Sequence, residues 1–211
     1  MNNNDILNNK IERRAFLSNS SKMAAGVALA STLPLSGGVY AAGSEVLDIA
    51  VVGCGGRGTG AAQQALKADK NTRLVALADA FEDRANKCKR ALKRFGPKRI
   101  KVTAETTFTG FNGYREAIDM ADVVILTSPP GFRPEHFEYA VQQGKQIFME
   151  KPVATDAAGV RRVLDAARVA KQKNLNVVVG LQRHYQPCYL ETLQRYRDGA
   201  VGEIISGQVY W

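Results

Sequence analysis

The run Val51-Val52-Gly53-Cys54-Gly55-Gly56-Arg57-Gly58 places glycine at all three positions of a GxGxxG turn, directly behind the apolar segment Leu47 to Val52. No other stretch constrains the chain as strongly, because it sets a strand, a tight turn and a helix in fixed order. The residues that follow, Thr59-Gly60-Ala61-Ala62-Gln63-Gln64-Ala65-Leu66, are small enough for a helix that lies close to a sheet. Gly53 is expected to permit the turn and Gly58 to permit close helix-strand packing. Gly55, with Gly56 and Arg57 beside it, would let the backbone approach a pyrophosphate seated on the helix N-terminus. The turn therefore predicts a bound dinucleotide.

Glycine-rich turns are common, and context carries the rest. A second apolar strand, Leu74 to Ala78, ends in Asp79, which stands 21 positions after Gly58, against an expected spacing of about 20. A carboxylate at that strand tip accepts from ribose hydroxyls and repels a 2′-phosphate, which favours NAD. Asp79 could equally cap the helix that opens at Glu82. Arg57 leaves NADP open, since a guanidinium beside the phosphates tolerates the extra charge.

Strands and helices then alternate. Glu82 to Phe95 reads as an amphipathic helix stopped by Gly96-Pro97, a short strand is expected near Ile100 to Val102, and Thr103 to Thr109 reads as a polar loop. Tyr114 to Met120, Pro134 to Gln143 and Asp156 to Lys173 read as helices; Asp122 to Thr127, Gln146 to Met149 and Asn176 to Gly180 read as strands. Such alternation requires a parallel sheet, so the fold class is α/β, a Rossmann-type doubly wound sheet. Ligands of these sheets bind beyond the strand C-terminal ends. Gly53 to Gly58, Asp79, Thr127-Ser128-Pro129, Glu150-Lys151-Pro152 and Gln182-Arg183-His184 are thereby expected to line one crevice.

The N-terminal 42 residues are of another kind. Arg13-Arg14-Ala15-Phe16-Leu17 precedes a low-charge stretch from Met23 to Leu35 and the small residues Ala41-Ala42-Gly43, the layout of a twin-arginine export signal. The apolar stretch is too short and too rich in small residues for a membrane span, which takes about 20 apolar residues. A soluble periplasmic or otherwise exported protein is the expectation, with no stable membrane insertion. Without residues 1–42 the net charge falls from +9 to +7. The cations Lys87, Lys89, Arg90, Lys93, Arg94, Lys98, Arg99 and Lys101 read as a solvated helix face rather than a nucleic-acid surface, because no recognised binding motif accompanies them. Cys54, Cys88 and Cys188 have no metal-ligand spacing, so no metal site is expected.

Glu150-Lys151-Pro152 after a strand, together with GCGGRG at 53–58, Asp79, TSPP at 127–130, His136 and GLQRHY at 180–185, resembles the glucose-fructose oxidoreductase and inositol dehydrogenase family, Gfo/Idh/MocA. The resemblance runs from about Glu45 to Trp211. It implies that Lys151 is the catalytic residue, reaching the substrate oxygen beside the nicotinamide; a partly desolvated ammonium there would have its pKa lowered toward neutrality. Glu150 would orient that lysine or touch the nicotinamide region, and Pro152 would fix the turn, a cis bond being open to it. His136 would lie near the cofactor crevice in a structural role, while Gln182 and Arg183, with His184 beside them, would position substrate. The resemblance also implies a second α/β domain with a catalytic aspartate and histidine. Gly202 to Trp211 reads as the first strand of that domain, so the chain is read as ending inside it: an export signal at 1–42, an NAD(P)-binding domain at 43–183, and a connecting helix with the start of the second domain at 184–211.

The resemblance thus implies an NAD(P)-dependent oxidoreductase acting on a sugar, polyol or related carbohydrate derivative, this segment carrying the nucleotide half and the complete protein forming a homo-oligomer. Two other functions stay open: a glycosidase that oxidises its substrate transiently so that elimination breaks the bond, and a nucleotide-binding module without catalysis.

Overall fold

A computed structural model describes residues 46–210; the expected export signal and Trp211 lie outside them. β1 (Leu47–Val52), β2 (Thr72–Asp79), β3 (Thr107–Thr109), β4 (Val123–Leu126), β5 (Gln146–Met149) and β6 (Val177–Val179) form one sheet in the order β3-β2-β1-β4-β5-β6. Every adjacent pair is parallel. This is the doubly wound order expected of a dinucleotide-binding sheet, reversing direction between β1 and β4.

Unbroken apolar runs form the central strands because both faces of the sheet are covered. Alternate side chains of β1 divide between two cores: Ile49 and Val51 pack with Leu74, Leu77, Ala61, Leu66, Ala85, Cys88 and Leu92, while Ala50 and Val52 pack with Val124, Leu126, Tyr114, Ile118, Phe137 and Val163. The first face is covered by α1 (Gly56–Ala68) and α2 (Glu82–Leu92). The second is covered by α3 (Tyr114–Asp119), α4 (Arg133–Gln142) and α5 (Ala157–Gln172). A last helix, α6 (Pro187–Arg197), has no buried residue.

The structure corrects two expected strands. Ile100 makes only an isolated bridge to Leu74, and the strand that pairs with β2 at that edge is β3, Thr107–Thr109, inside the segment read as a polar loop. A three-residue edge strand with two threonines carries almost no hydrophobic pattern, so periodicity misses it. Residues 202–210 form no strand among the described residues, and Ile205 and Val209 stand exposed. An edge segment holds strand geometry only through a hydrogen-bonded neighbour, and none of the described strands is one.

Candidate active site

The crevice forms beyond the C-terminal ends of β1 and β4, whose following helices, α1 and α4, pack on opposite faces of the sheet. Gly53 adopts a φ of +97° and donates its N–H to Ala78 O at 2.8 Å, folding the chain back on β2. A Cβ on Gly53 would lie 2.4 Å from Ser128 N, so the β4 loop is pressed against the turn. Thr127 fixes that approach: its hydroxyl donates to Gly53 O at 2.7 Å and to Val52 O at 3.2 Å. Gly58 is buried, and a Cβ there would lie 1.9 Å from Gly53 O.

Gly55 differs from both. A side chain there would meet only Arg84, at 3.8 Å, so internal packing does not demand glycine. Gly55 instead lines a cleft of about 1510 Å³, larger than the ~300–1,000 Å³ of ordinary small-molecule pockets. The helix that starts there, α1, has no side-chain cap and no acid in its first turn. Its free N–H groups are therefore left for an anion. A backbone bared toward a large cleft beside an uncapped helix fits a dinucleotide pyrophosphate.

Asp79 ends β2 on the same wall. One carboxylate oxygen accepts from Cys54 N at 2.6 Å and the other from Phe81 N at 3.0 Å, so Asp79 ties the glycine turn to the β2 tip. It does not cap α2, whose N-cap residue is Phe81. Cys54 is buried beneath the turn, and its hydrogen bond with Cys88 together with burial pushes its pKa up, so it stays a thiol. All three cysteines are free, and among the described residues no cluster could hold a metal.

Lys151 follows β5 on the opposite wall, with a cis peptide bond to Pro152. Glu150, 8% exposed, does not pair with Lys151; it accepts from Arg57 Nε at 2.6 Å. Arg57 also donates to Gln64 at 3.2 Å and stands 5.9 Å over the Phe148 ring, so its guanidinium serves the cleft wall. Lys151 is exposed and has no hydrogen-bond or ion-pair partner among the described residues. The partial desolvation anticipated for it is thus not supplied by these residues, because nothing described covers the cleft mouth.

Ser128 and His136 form a buried pair, Oγ to Nδ1 at 3.0 Å, with the imidazole 4.2 Å from the Tyr114 ring. Burial holds the His136 pKa down to about 4, against about 6.5 unfolded. The unfolded chain therefore binds the extra proton between those values. Stability should be level above about pH 6.5 and fall as pH drops toward 4, by at most about 3.5 kcal/mol. Denaturant melts of the wild type and His136→Gln across that range are expected to show the steeper acid loss in the wild type; parallel curves would assign the loss elsewhere.

Of the residues expected in the crevice, Gly53, Gly55, Arg57, Asp79, Thr127, Ser128, Pro129, His136, Glu150, Lys151, Gln182, Arg183 and His184 line it. Gly56 faces open space, Gly58 acts by packing, and Pro152 contributes its carbonyl to Arg133. Arg133 escaped the sequence reading. It is 2% exposed, and its guanidinium donates to Ser128 O and Pro152 O. Its signal was a cation at the first position of α4, where the helix dipole disfavours positive charge and some other partner must hold it.

An oxidoreductase-family model with an NAD-binding Rossmann fold matches residues 47–181. An inositol 2-dehydrogenase from Gluconacetobacter diazotrophicus is 32% identical over 161 residues, covering 75% of this chain and 44% of that protein. Myo-inositol 2-dehydrogenase from Lactobacillus plantarum superposes with a TM-score of 0.63 at 26% identity, covering 76% of this chain and 44% of that one. Scyllo-inositol dehydrogenase from Lactobacillus casei, solved with NAD(H) and scyllo-inositol bound, gives 0.60 at 25% identity, covering 76% and 43%. The chain spans less than half the length of these relatives.

Proposed function

The chain belongs to the Gfo/Idh/MocA oxidoreductase family, and from that membership we propose that the complete protein is an NAD-dependent dehydrogenase of a cyclic polyol or related sugar, with residues 47–181 as its cofactor-binding half. The observation that carries this is the placement of Lys151 across one cleft from the Gly53–Gly58 turn. NAD, when bound, supplies the hydride acceptor. Gly55 and the N-terminus of α1 would hold the pyrophosphate, and Asp79, at the β2 tip, would accept from the adenosine ribose and disfavour a 2′-phosphate. Lys151 Nζ holds the substrate hydroxyl oxygen and takes part in moving its proton as the carbonyl forms. Gln182, Arg183 and His184, exposed at the cleft rim, orient the polyol.

The inositol dehydrogenases among the relatives support the substrate class. Export through the Arg13-Arg14 segment and homo-oligomerisation of the complete protein belong to the same proposal; a twin-arginine route carries folded proteins, so the cofactor would be loaded before crossing.

The test is direct. The complete protein, incubated with NAD and a panel of inositols and sugars, is expected to raise the reduced-nicotinamide absorbance with at least one polyol and to prefer NAD over NADP. Tight NADH binding with no absorbance change on any polyol or sugar would overturn the dehydrogenase assignment, and release of an aglycone without net reduction would replace it with glycoside cleavage.

A further inference from the structure

Lys151 is flanked on both sides by groups that arginines hold. On its N-terminal side, the Glu150 carboxylate is tied to Arg57 in the first turn of α1. On its C-terminal side, the Pro152 carbonyl accepts from Arg133 at the start of α4. The two arginines come from different binding loops. Arg57 belongs to the glycine turn, and Arg133 also binds Ser128 O in the β4 loop.

Several features mark this as more than ordinary packing. Arg133 is buried without an acid among its hydrogen-bond partners, and its Nε is the one buried side-chain nitrogen or oxygen among the described residues that lacks a partner. Burying a guanidinium on two carbonyls is costly even with the Glu150 charge acting on it, so a shape-filling apolar residue would serve stability better. The planar fork instead reaches two carbonyls at once, which a lysine cannot do with the same geometry. Glu150 is hemmed in as well: a Cβ on Gly180 would lie 2.5 Å from its Oε1, so the β6 end leaves the carboxylate little room besides its Arg57 side. Lys151 itself has no described partner, and its position is set entirely through its neighbours.

We propose that Arg57 and Arg133 are positioning residues that bracket the Glu150-Lys151-Pro152 segment and hold Lys151 against the nucleotide cleft. The bracket joins the turn that receives the pyrophosphate to the loop that carries the proton-handling amine, so nucleotide seating and lysine placement share one framework. This rests on the assignment of Lys151 to the cleft beside the nicotinamide, and its test does not need turnover.

The test labels lysines of the full chain with an amine-directed reagent, with and without saturating NADH, and reads each lysine by peptide mass spectrometry. Wild-type Lys151 is expected to be shielded by NADH by about threefold or more. Lys171, in the last turn of α5 and so beside the N-terminal end of β6, at the end of the sheet away from the cleft, serves as the unshielded control. In Arg57→Gln and Arg133→Lys, measured at NADH concentrations that saturate each variant, shielding of Lys151 is expected to be largely lost while Lys171 is unchanged. If Arg133→Lys fails to fold, Arg57→Gln decides alone, because that side chain is half exposed. Variants that melt earlier yet keep wild-type shielding would show the arginines to be merely structural and overturn the bracket. No shielding in the wild type would overturn the placement of Lys151 itself, and the bracket with it.

Discussion

Gly58→Ala is expected to abolish useful NADH binding, raising Kd by about 100-fold or more, roughly 3 kcal/mol. The added methyl would sit 1.9 Å from Gly53 O and 2.6 Å from Thr127 Oγ1, and both of those atoms belong to the hydrogen bond that pins the β4 loop to the turn. Neither is the far end of a flexible side chain. Relief therefore requires α1 to move off β1, which withdraws the free N–H groups from the cleft and opens the Gly53–Thr127 contact. Overpacking of this kind also costs about 1–3 kcal/mol of stability. The comparison that isolates the effect is Gly60→Ala, two residues later in α1, where a methyl meets only Arg57 Nη1, at 3.9 Å. That substitution is expected to keep Kd within about twofold and to raise stability by up to about 1 kcal/mol through helix propensity. Fluorescence titration with NADH and thermal melts check both variants. Binding by Gly58→Ala within a few-fold of wild type would show that the turn does not seat the nucleotide.

The contrast between these glycines shows how far the residues could be read in advance. GxGxxG already separated Gly53 and Gly58, needed for the turn and its packing, from Gly55, needed for the nucleotide; the structure adds the neighbouring backbone that demands the first two and the cleft that Gly55 lines. β1, β2, β4 and β5 were legible because a strand covered on both faces is an unbroken apolar run. Thr107–Thr109 was not, since an edge strand of three residues is stabilised by pairing to β2 rather than by any pattern of its own. The position of Glu150 and Lys151 after β5 followed from strand order, yet the partner of Glu150 did not. Arg57 lies 93 residues away, and nothing in local spacing reports a contact across the switch between β1 and β4. The orienting of Lys151 expected of Glu150 does not take the form of a direct ion pair, because the carboxylate is buried on Arg57 while the amine is exposed. The missing desolvation of Lys151 has the same origin, because covering a cleft mouth is a property of what packs over the sheet, not of the strand that ends there.

Lys151→Met is expected to lower turnover of the complete protein by about 10²–10⁴-fold, the usual worth of a positioned proton-transfer group. NADH affinity should stay within about twofold, because an exposed amine with no described partner holds no part of the fold in place. A thermal melt close to wild type is expected for the same reason. Lys151→Arg then separates two roles that Met cannot. A guanidinium keeps the positive charge beside the developing oxyanion but does not release its proton at working pH. If charge alone were needed, arginine would restore most of the rate; if the amine must take and return a proton, arginine should remain impaired by about tenfold or more relative to lysine. Steady-state rates with NAD and an active polyol, paired with NADH titrations of each variant, read the two outcomes. Near wild-type turnover by Lys151→Met would remove proton handling from this lysine. The cofactor site would stand even then, since it rests on Gly55, the uncapped α1 and Asp79, none of which touches the Lys151 side chain.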